Sequence, residues 1–428
     1  MAKVAVVGAG AMGLAAAYYA LKRGHTVDLF EAAPEAGGMA AHFDLAGLSI
    51  ERFYHFVCKA DQSTFQLLDE LGLGDRMRWI PTSMGYYIDG RLYPWGDPIS
   101  LLKFPKLDLL SKFRYGFLMF VSTHREKWDA LEIVSAKDWI TRWCGAKVYD
   151  LLWRRLFDLK FYELADPISA AWIWTRVKRV GRSRRSLFQE ELGYIEGGSQ
   201  ALIDALVAAI ERLGGRIHLS APVARVVIEN GCATGVAVGE TIHPVDAVIS
   251  TVPTPHLNRM IPDLPDDLAA AYQAIQNIGV ICLVFRLKKS VTPHFWVNIV
   301  DASMPIPGII EFSNLRRPAD GGTVVYVPYY MPVTNPKFRW TDQQLIAEAF
   351  ACIQRINPAI TEADIEATHV GRLTHAQPIC PPGFASKIPP WRTPVRGLSI
   401  ADTCFYYPED RGISESVRYG KIMAEQIS

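Results

Sequence analysis

Residues 3–7, Lys-Val-Ala-Val-Val, are a short apolar run rich in β-branched side chains. Gly8-Ala9-Gly10-Ala11-Met12-Gly13 follows at once, and helix-forming residues then continue to Arg23. No other feature constrains the chain as strongly, because strand, G-x-G-x-x-G turn and helix in that order open a parallel sheet with a phosphate-binding turn. Gly8 permits the tight bend, Gly10 lets the main chain approach a pyrophosphate, and Gly13 lets helix and strand pack closely. Phosphates meet the helix N-terminus there, so Ala11 and Met12 inside the turn count among the expected cofactor-binding residues. A second strand is expected over Thr26–Phe30. It ends at Glu31, about 20 residues on, where a carboxylate accepts hydrogen bonds from ribose hydroxyls. The whole unit predicts dinucleotide binding, which a lone glycine turn would not.

The 428 residues suggest about two or three domains at roughly 150 residues each. Half of them are hydrophobic and 21% are charged, a globular composition far from that of disordered chains. Lys and Arg total 45 against 44 Asp and Glu, a net charge of +1, so no global field attracts nucleic acid and an anionic partner needs a local patch. The seven cysteines are scattered and never spaced C-x-x-C. That argues against a disulfide framework and a zinc site, and no metal ligands are expected. The strand pattern at the start lacks the regions of a signal peptide, so the expectation is a cytoplasmic protein. Residues 101–128 form the one window with membrane potential, but Lys103, Lys106, Asp108, Lys112 and Arg114 interrupt it. It cannot span a bilayer, which leaves two readings: an amphipathic element packed on the core, or a surface-bound one in peripheral contact with the inner face of a membrane.

The stretch from Glu31 through Gly37-Gly38-Met39 resembles the extended fingerprint of the flavoprotein superfamily of amine oxidases, protoporphyrinogen oxidases, phytoene-type desaturases and UDP-galactopyranose mutase. The resemblance implies that Gly37 and Gly38 let the chain pass close to the diphosphate of FAD. Many members carry Arg after the pair; Met39 stands there in this chain, so that contact is missing or supplied elsewhere. The resemblance also implies a discontinuous flavin domain, and two later stretches fit. Residues 194–199 precede an amphipathic helix over 200–213, strands over 216–219, 223–228 and 232–238 with an Asn230-Gly231 hairpin turn, and a returning strand over 246–253. Val223 occupies the position whose backbone commonly contacts adenine in the family. At the C-terminal end a strand closes on Asp402, expected near the ribityl–phosphate chain, and Gly412-Ile413-Ser414 opens a helix whose N-terminus faces the flavin pyrimidine. A helix N-terminus stabilises the negative charge that a reduced flavin gathers at that edge. No second G-x-G-x-x-G follows a strand, so a separate NAD(P)H domain is not expected.

The remaining residues are rich in aromatic clusters, and strands over 279–287, 296–300, 309–312 and 323–328 suggest a mixed sheet forming one wall of an apolar cavity. Most of the aromatics read as core. The closest likeness is to the protoporphyrinogen-oxidase branch, in which 53–56 lies where the chain returns toward the flavin. This makes His55 a candidate for orienting substrate or moving a proton, beside its plainer reading as a structural histidine. Tyr407 and Arg411, just before the flavin-facing helix, are the other catalytic candidates. Arg411 is read as stabilising reduced flavin or binding a substrate anion, with Glu409 or Asp410 as simple salt-bridge alternatives. Six cations between Arg176 and Arg185 read first as a solvated face, and otherwise as a site for phosphate, diphosphate or anionic lipid. Cys380 lies upstream of the last flavin stretch in surroundings unlike a covalent attachment motif, so FAD is expected to be non-covalent.

The expected fold class is α/β. A discontinuous Rossmann-like FAD-binding domain (1–48, 194–254 and 391–428) joins an α+β substrate domain (49–193 and 255–390) built on a mixed sheet, with a helical part at about 100–185 that is the candidate for facing a membrane. The expected activity is an FAD-dependent oxidoreductase taking a hydride onto flavin N5 from a bulky, largely apolar substrate, whether isoprenoid, tetrapyrrole or lipid-linked. The alternative is a non-redox flavoenzyme resembling UDP-galactopyranose mutase that acts on a nucleotide sugar or glycosyl phosphate. A flavin-binding, membrane-associated scaffold without turnover is the third reading.

Overall fold

The computed structural model describes residues 1–427; Ser428, the last residue of the third expected flavin stretch, lies outside them. Five strands form a parallel sheet: β1 (Lys3–Val7), β2 (Thr26–Phe30), β3 (Arg216–His218), β4 (Ala247–Ser250) and β5 (Leu398–Ile400), in the order β3-β2-β1-β4-β5. Its strands come from the beginning, middle and end of the chain, and each pairs in parallel with its neighbour. The near-continuous Val, Ala, Leu and Ile runs of β1, β2 and β4 are buried, as a parallel sheet covered on both faces requires.

The helices that build the site are α1 (Ala11–Lys22), α2 (Leu109–His124), α3 (Arg155–Phe161), α4 (Ala170–Arg182), α5 (Ser199–Arg212) and α6 (Ile413–Glu425). Every residue of α1 from Ala11 to Leu21 is buried. A helix apolar all round has no solvent face, and α1 is enclosed by the sheet, α5 and α6. Small side chains make that possible: a Cβ added to Gly420 on α6 would fall 2.5 Å from the Met12 carbonyl oxygen of α1. Beside the sheet lies an antiparallel trio, Val223–Glu229, Cys232–Val238 and Thr241–Pro244. Its first turn is the expected Asn230-Gly231 pair with φ +50° and +73°, the positive values a tight hairpin needs. The third strand of the trio was not expected.

The second sheet has seven strands in the order Ile365–Pro378, Asn277–Leu287, Thr323–Met331, Gly308–Glu311, Trp296–Ile299, Met84–Ile88, Arg91–Trp95. It is mixed, since Trp296–Ile299 runs parallel to Met84–Ile88 while the other pairs are antiparallel. Its strand Asn277–Leu287, second from the edge, is buried on both faces. Ile281, Leu283, Phe285 and Leu287 enter a core shared with helix Asp342–Ile356, while Val280 and Cys282, on the other face, line a cavity. The long edge strand Ile365–Pro378 escapes sequence reading because its alternation of exposed and half-buried residues carries few apolar side chains.

The window at 101–128 is not one element: it divides between helix Pro98–Lys103 and α2, each started by an aspartate cap, Asp97 and Asp108. No helix of the described residues is long and apolar enough to cross a membrane. Among those residues there is no cluster of three or more metal-ligating side chains, and all seven cysteines are free.

Candidate functional site

One cavity of about 1760 Å³ runs from the end of the parallel sheet to the inner face of the mixed sheet. It exceeds the roughly 300–1,000 Å³ of a pocket for one small ligand. Gly8, Gly10, Ala11, Met12, Glu31, Gly37, Gly38 and Met39 line one end, with Val223 on the segment bonded to Glu31; Asp402, Gly412, Ile413 and Ser414 line it further along; His55 and Arg411 lie at the other. Gly13 and Tyr407 do not line it.

The glycines have distinct reasons. Gly8 has φ +99°, and a Cβ there would meet the Thr251 hydroxyl at 2.7 Å. A Cβ on Gly13 would fall 1.8 Å from the Gly8 carbonyl oxygen, so Gly13 serves packing behind the cavity. A Cβ on Gly10 would meet no atom within 4 Å, because that face of the backbone opens on the cavity. The Gly37-Gly38 pair, with φ +114° and +55°, lies against this turn: Gly37 N–H donates to the Ala9 carbonyl at 2.8 Å, and a Cβ on Gly38 would be 3.2 Å from Gly10 Cα. Helices α1 and α6 both begin here at a glycine, Gly10 and Gly412, and neither has a side-chain cap. Their first N–H groups have no intrahelical partner, and two positive dipole ends open on one cavity.

The acidic residues hold the main chain as well as lining the cavity. Glu31 accepts from the Ala9 and Ala33 amides at 2.7 and 2.8 Å, which braces the glycine turn. Asp402 is buried and accepts from the Thr254 and Cys404 amides at 2.7 and 2.8 Å. Arg52, which sequence reading missed, lines the cavity and is tied to the segment around Met39 through Glu35 and through its own amide to the Ala41 carbonyl.

The far wall is aromatic and cationic. Tyr54 and Tyr330 hydroxyls lie 3.4 Å apart, and Arg411 donates to Tyr330 at 2.8 Å and to the Ala376 carbonyl. Neither acidic alternative holds the Arg411 side chain: Asp410 accepts from Arg176 at 2.5 Å, and burial pushes the Glu409 carboxyl up. Three buried polar atoms of this wall, His55 Nδ1, Trp153 Nε1 and Gln377 Nε2, have no protein partner. Such groups are expected to be satisfied, and a bound molecule would do it. Burial holds the His55 imidazole below its usual range, so the ring is neutral near pH 7.

The cation run divides by face, correcting its reading as a solvated surface. Arg176 and Arg179 on α4 line the cavity, Arg179 bidentate to Asp61 at 3.0 and 2.7 Å. Lys178 and Arg182 instead reach Glu126 outside. Tyr407 turns away, its hydroxyl 2.6 Å from Ser169 and bonded to Glu132, and it borders a separate small pocket with Cys380. Lys160 on α3 lines the main cavity. Its place in Leu-Phe-Asp-Leu-Lys-Phe reads as an ordinary helix surface, so only the fold reveals it.

The family described as flavin containing amine oxidoreductase matches residues 13–381. A 15-cis-phytoene desaturase of Synechococcus elongatus is 24% identical over 286 residues, covering 61% of this chain and 60% of that protein. Protoporphyrinogen oxidase 2, chloroplastic/mitochondrial, of Arabidopsis thaliana is 32% identical over 155 residues, 35% of this chain and 30% of that one. The matches therefore span less than two thirds of either relative. Among solved structures, reduced UDP-galactopyranose mutase superposes with a TM-score of 0.77 at 16% identity, over 100% of this chain and 95% of that one.

Proposed function

The chain belongs to the flavin-containing amine oxidoreductases, and from that premise we propose that it binds FAD without a covalent bond and oxidises a bulky, largely apolar substrate. The observation that carries the reading is the single cavity joining the glycine cradle to an aromatic wall with unsatisfied polar atoms. The turn from Gly8 to Met12 and the Gly37-Gly38 pair would hold the diphosphate, with Arg52 in place of the arginine that Met39 lacks. Glu31 would hold ribose, the Val223 backbone adenine, Asp402 the ribityl–phosphate chain, and the Gly412-Ile413-Ser414 amides the pyrimidine edge. Cys380 supports a non-covalent cofactor, since it borders a different pocket and burial pushes its thiol up.

Bound FAD supplies a hydride acceptor at N5. The chain's own residues keep water out and orient the substrate: Tyr54 and Tyr330 form an apolar face, Arg411 is held against Tyr330, and neutral His55 offers Nδ1 as a hydrogen-bonding or proton-accepting atom. Glu132 and Ser169 bind Tyr407 and so brace the loop leading into α6, a positioning role.

Contact with a lipid surface is part of this reading, because α2 is turned inside out. Ser111, Tyr115, Leu118 and Ser122 face the protein, whereas Leu109, Phe113, Phe117 and Phe120 are exposed by 77%, 72%, 47% and 58%. Exposed Leu102, on helix Pro98–Lys103, and Leu187 and Phe188, in the hairpin between strands Arg184–Ser186 and Gln189–Ile195, carry further apolar surface, and Arg184 ties that hairpin to the Gly96 carbonyl just before helix Pro98–Lys103. Lys103 and Arg185 are exposed among them. Apolar rings bordered by cations suit an interfacial helix on anionic lipid. Helix α4 packs on α2 and also lines the cavity, so an apolar substrate would have one helix layer to pass.

The test is the visible spectrum of the purified protein, with chromatography of the flavin released on denaturation and dithionite reduction under argon. Released, reducible FAD supports the reading; no flavin spectrum even after incubation with excess FAD overturns it. The runner-up, a non-redox flavoenzyme acting on a nucleotide sugar or glycosyl phosphate, is favoured by the cations of the far wall. Turnover without net oxidation of substrate would select it.

A further inference from the structure

Each carboxylate lining the cavity already has partners within the chain. Glu31 and Asp402 accept from backbone amides, Glu51 pairs with Arg316 at 2.7 Å, Asp61 with Arg179 and Asp410 with Arg176. Two cations of the far wall make no ion pair among the described residues, and the one carboxylate that faces them, Asp410, is already bonded to Arg176. The Arg411 guanidinium meets only neutral oxygens, on Tyr330 and Ala376. Lys160 has no hydrogen-bond acceptor and lies over rings alone, with Nζ 4.6 Å from the Tyr330 centroid, 5.2 Å from Trp172 and 5.5 Å from Phe161. Both stand at Tyr330, whose ring centroid is 5.3 Å from Arg411 Cζ.

We propose that Lys160 and Arg411 form a receptor for an acidic group, carboxylate or phosphate, on the otherwise apolar substrate of this cavity. The proposal rests on the oxidoreductase reading above and names the substrate class within it. A cation taken from water without a counter-charge is costly, and a ligand anion removes that cost. The groups facing Lys160 are Arg176, Arg411, Asp410 and Cys380, besides the Tyr330 phenol; burial, and then Arg176, hold its amine well below the usual lysine range. The same excess of positive charge repels a protonated amine, although amines give the family its description.

The test is calorimetric titration of the flavin-loaded protein with phenylbutyrate, phenylbutyl phosphate and phenylbutylamine, repeated on Lys160→Met and Lys160→Arg. Either anionic probe is expected to bind more tightly than the amine. Lys160→Met should weaken that binding by about tenfold or more, the size of one charge-assisted contact, and Lys160→Arg should retain most of it. The preference between carboxylate and phosphate identifies the acidic group. An amine that binds as well as the anions, no binding by either anion, or an unchanged affinity in Lys160→Met overturns the proposal. The three probes decide the matter on the natural protein even if a variant does not fold. A protein that takes up no FAD defeats the oxidoreductase reading, whereas one that holds FAD and shows no charge preference defeats this inference alone.

Discussion

Gly10 and Gly13 are three residues apart in one motif, and opposite physics keeps each of them. Gly10→Leu would place its side chain in open cavity from an ordinary backbone conformation, φ −70°. It is expected to lower flavin retention at least tenfold while the circular dichroism and the melting of the apoprotein stay close to those of the natural chain. Gly13→Val drives carbon into the Gly8 carbonyl. It should destabilise the fold beyond the about 1–3 kcal/mol of ordinary overpacking, read as a fall in Tm with or without FAD. Glu311 offers a pH test at one side chain: it is buried, accepts from Ser290 and from the Val291 and Thr292 amides, and burial raises its carboxyl to about 7. With the folded value above the unfolded one, its contribution is fullest below the ordinary carboxylate range and is lost as pH rises through about 7. Glu311→Gln should therefore flatten the decline in Tm between acidic and mildly alkaline buffer; an unchanged slope would contradict the assignment. The turn glycines and Glu31 were legible from spacing, whereas Lys160 was not, because a lysine between Leu159 and Phe161 reads as a solvated helix position until the fold shows what surrounds it.

Among the helices, the contrast is between α1, whose apolar residues are enclosed, and α2, whose phenylalanines are exposed. Helix α1 is built largely of alanine and α2 of leucine and phenylalanine; both are mostly apolar, and only packing tells which face is covered. The combined substitution Phe113→Ser, Phe117→Ser and Phe120→Ser is expected to reduce sedimentation with vesicles containing anionic lipid by about tenfold or more, at several tenths to a few kcal/mol per ring withdrawn. Flavin content should stay unchanged, because α4 stands between α2 and the cavity. Vesicle binding equal to that of the natural protein would remove the lipid reading. A change from dimer to monomer without any vesicle binding would assign the face to a second copy instead. The cation run that begins on α4 makes a related point: six charges in ten residues look uniform in sequence, but for the four on the helix its period turns Arg176 and Arg179 inward and Lys178 and Arg182 outward.

The parallel sheet draws strands from three distant stretches and closes one end of the cavity, while the mixed sheet closes the other. A ligand filling that space touches both, so FAD at 100 times its Kd is expected to add about 2.7 kcal/mol to stability. Flavin release and loss of secondary structure should then coincide in one melting transition; flavin leaving well before the helices unfold would show that the cofactor bridges nothing. Local spacing was enough to read the glycine turn after β1, the acidic residue after β2, the Asn230-Gly231 hairpin turn and the mixed sheet's inner strands, because glycine dihedrals and alternating burial act over a few residues and leave a local trace. Long-range packing alone settles which charges lack ion pairs, that Tyr407 turns away, that α2 shows its rings to the outside, and that Arg52 is tied to the segment around Met39 through Glu35 and Ala41. Those outcomes depend on contacts between residues tens to hundreds of positions apart, and neither spacing nor composition carries them.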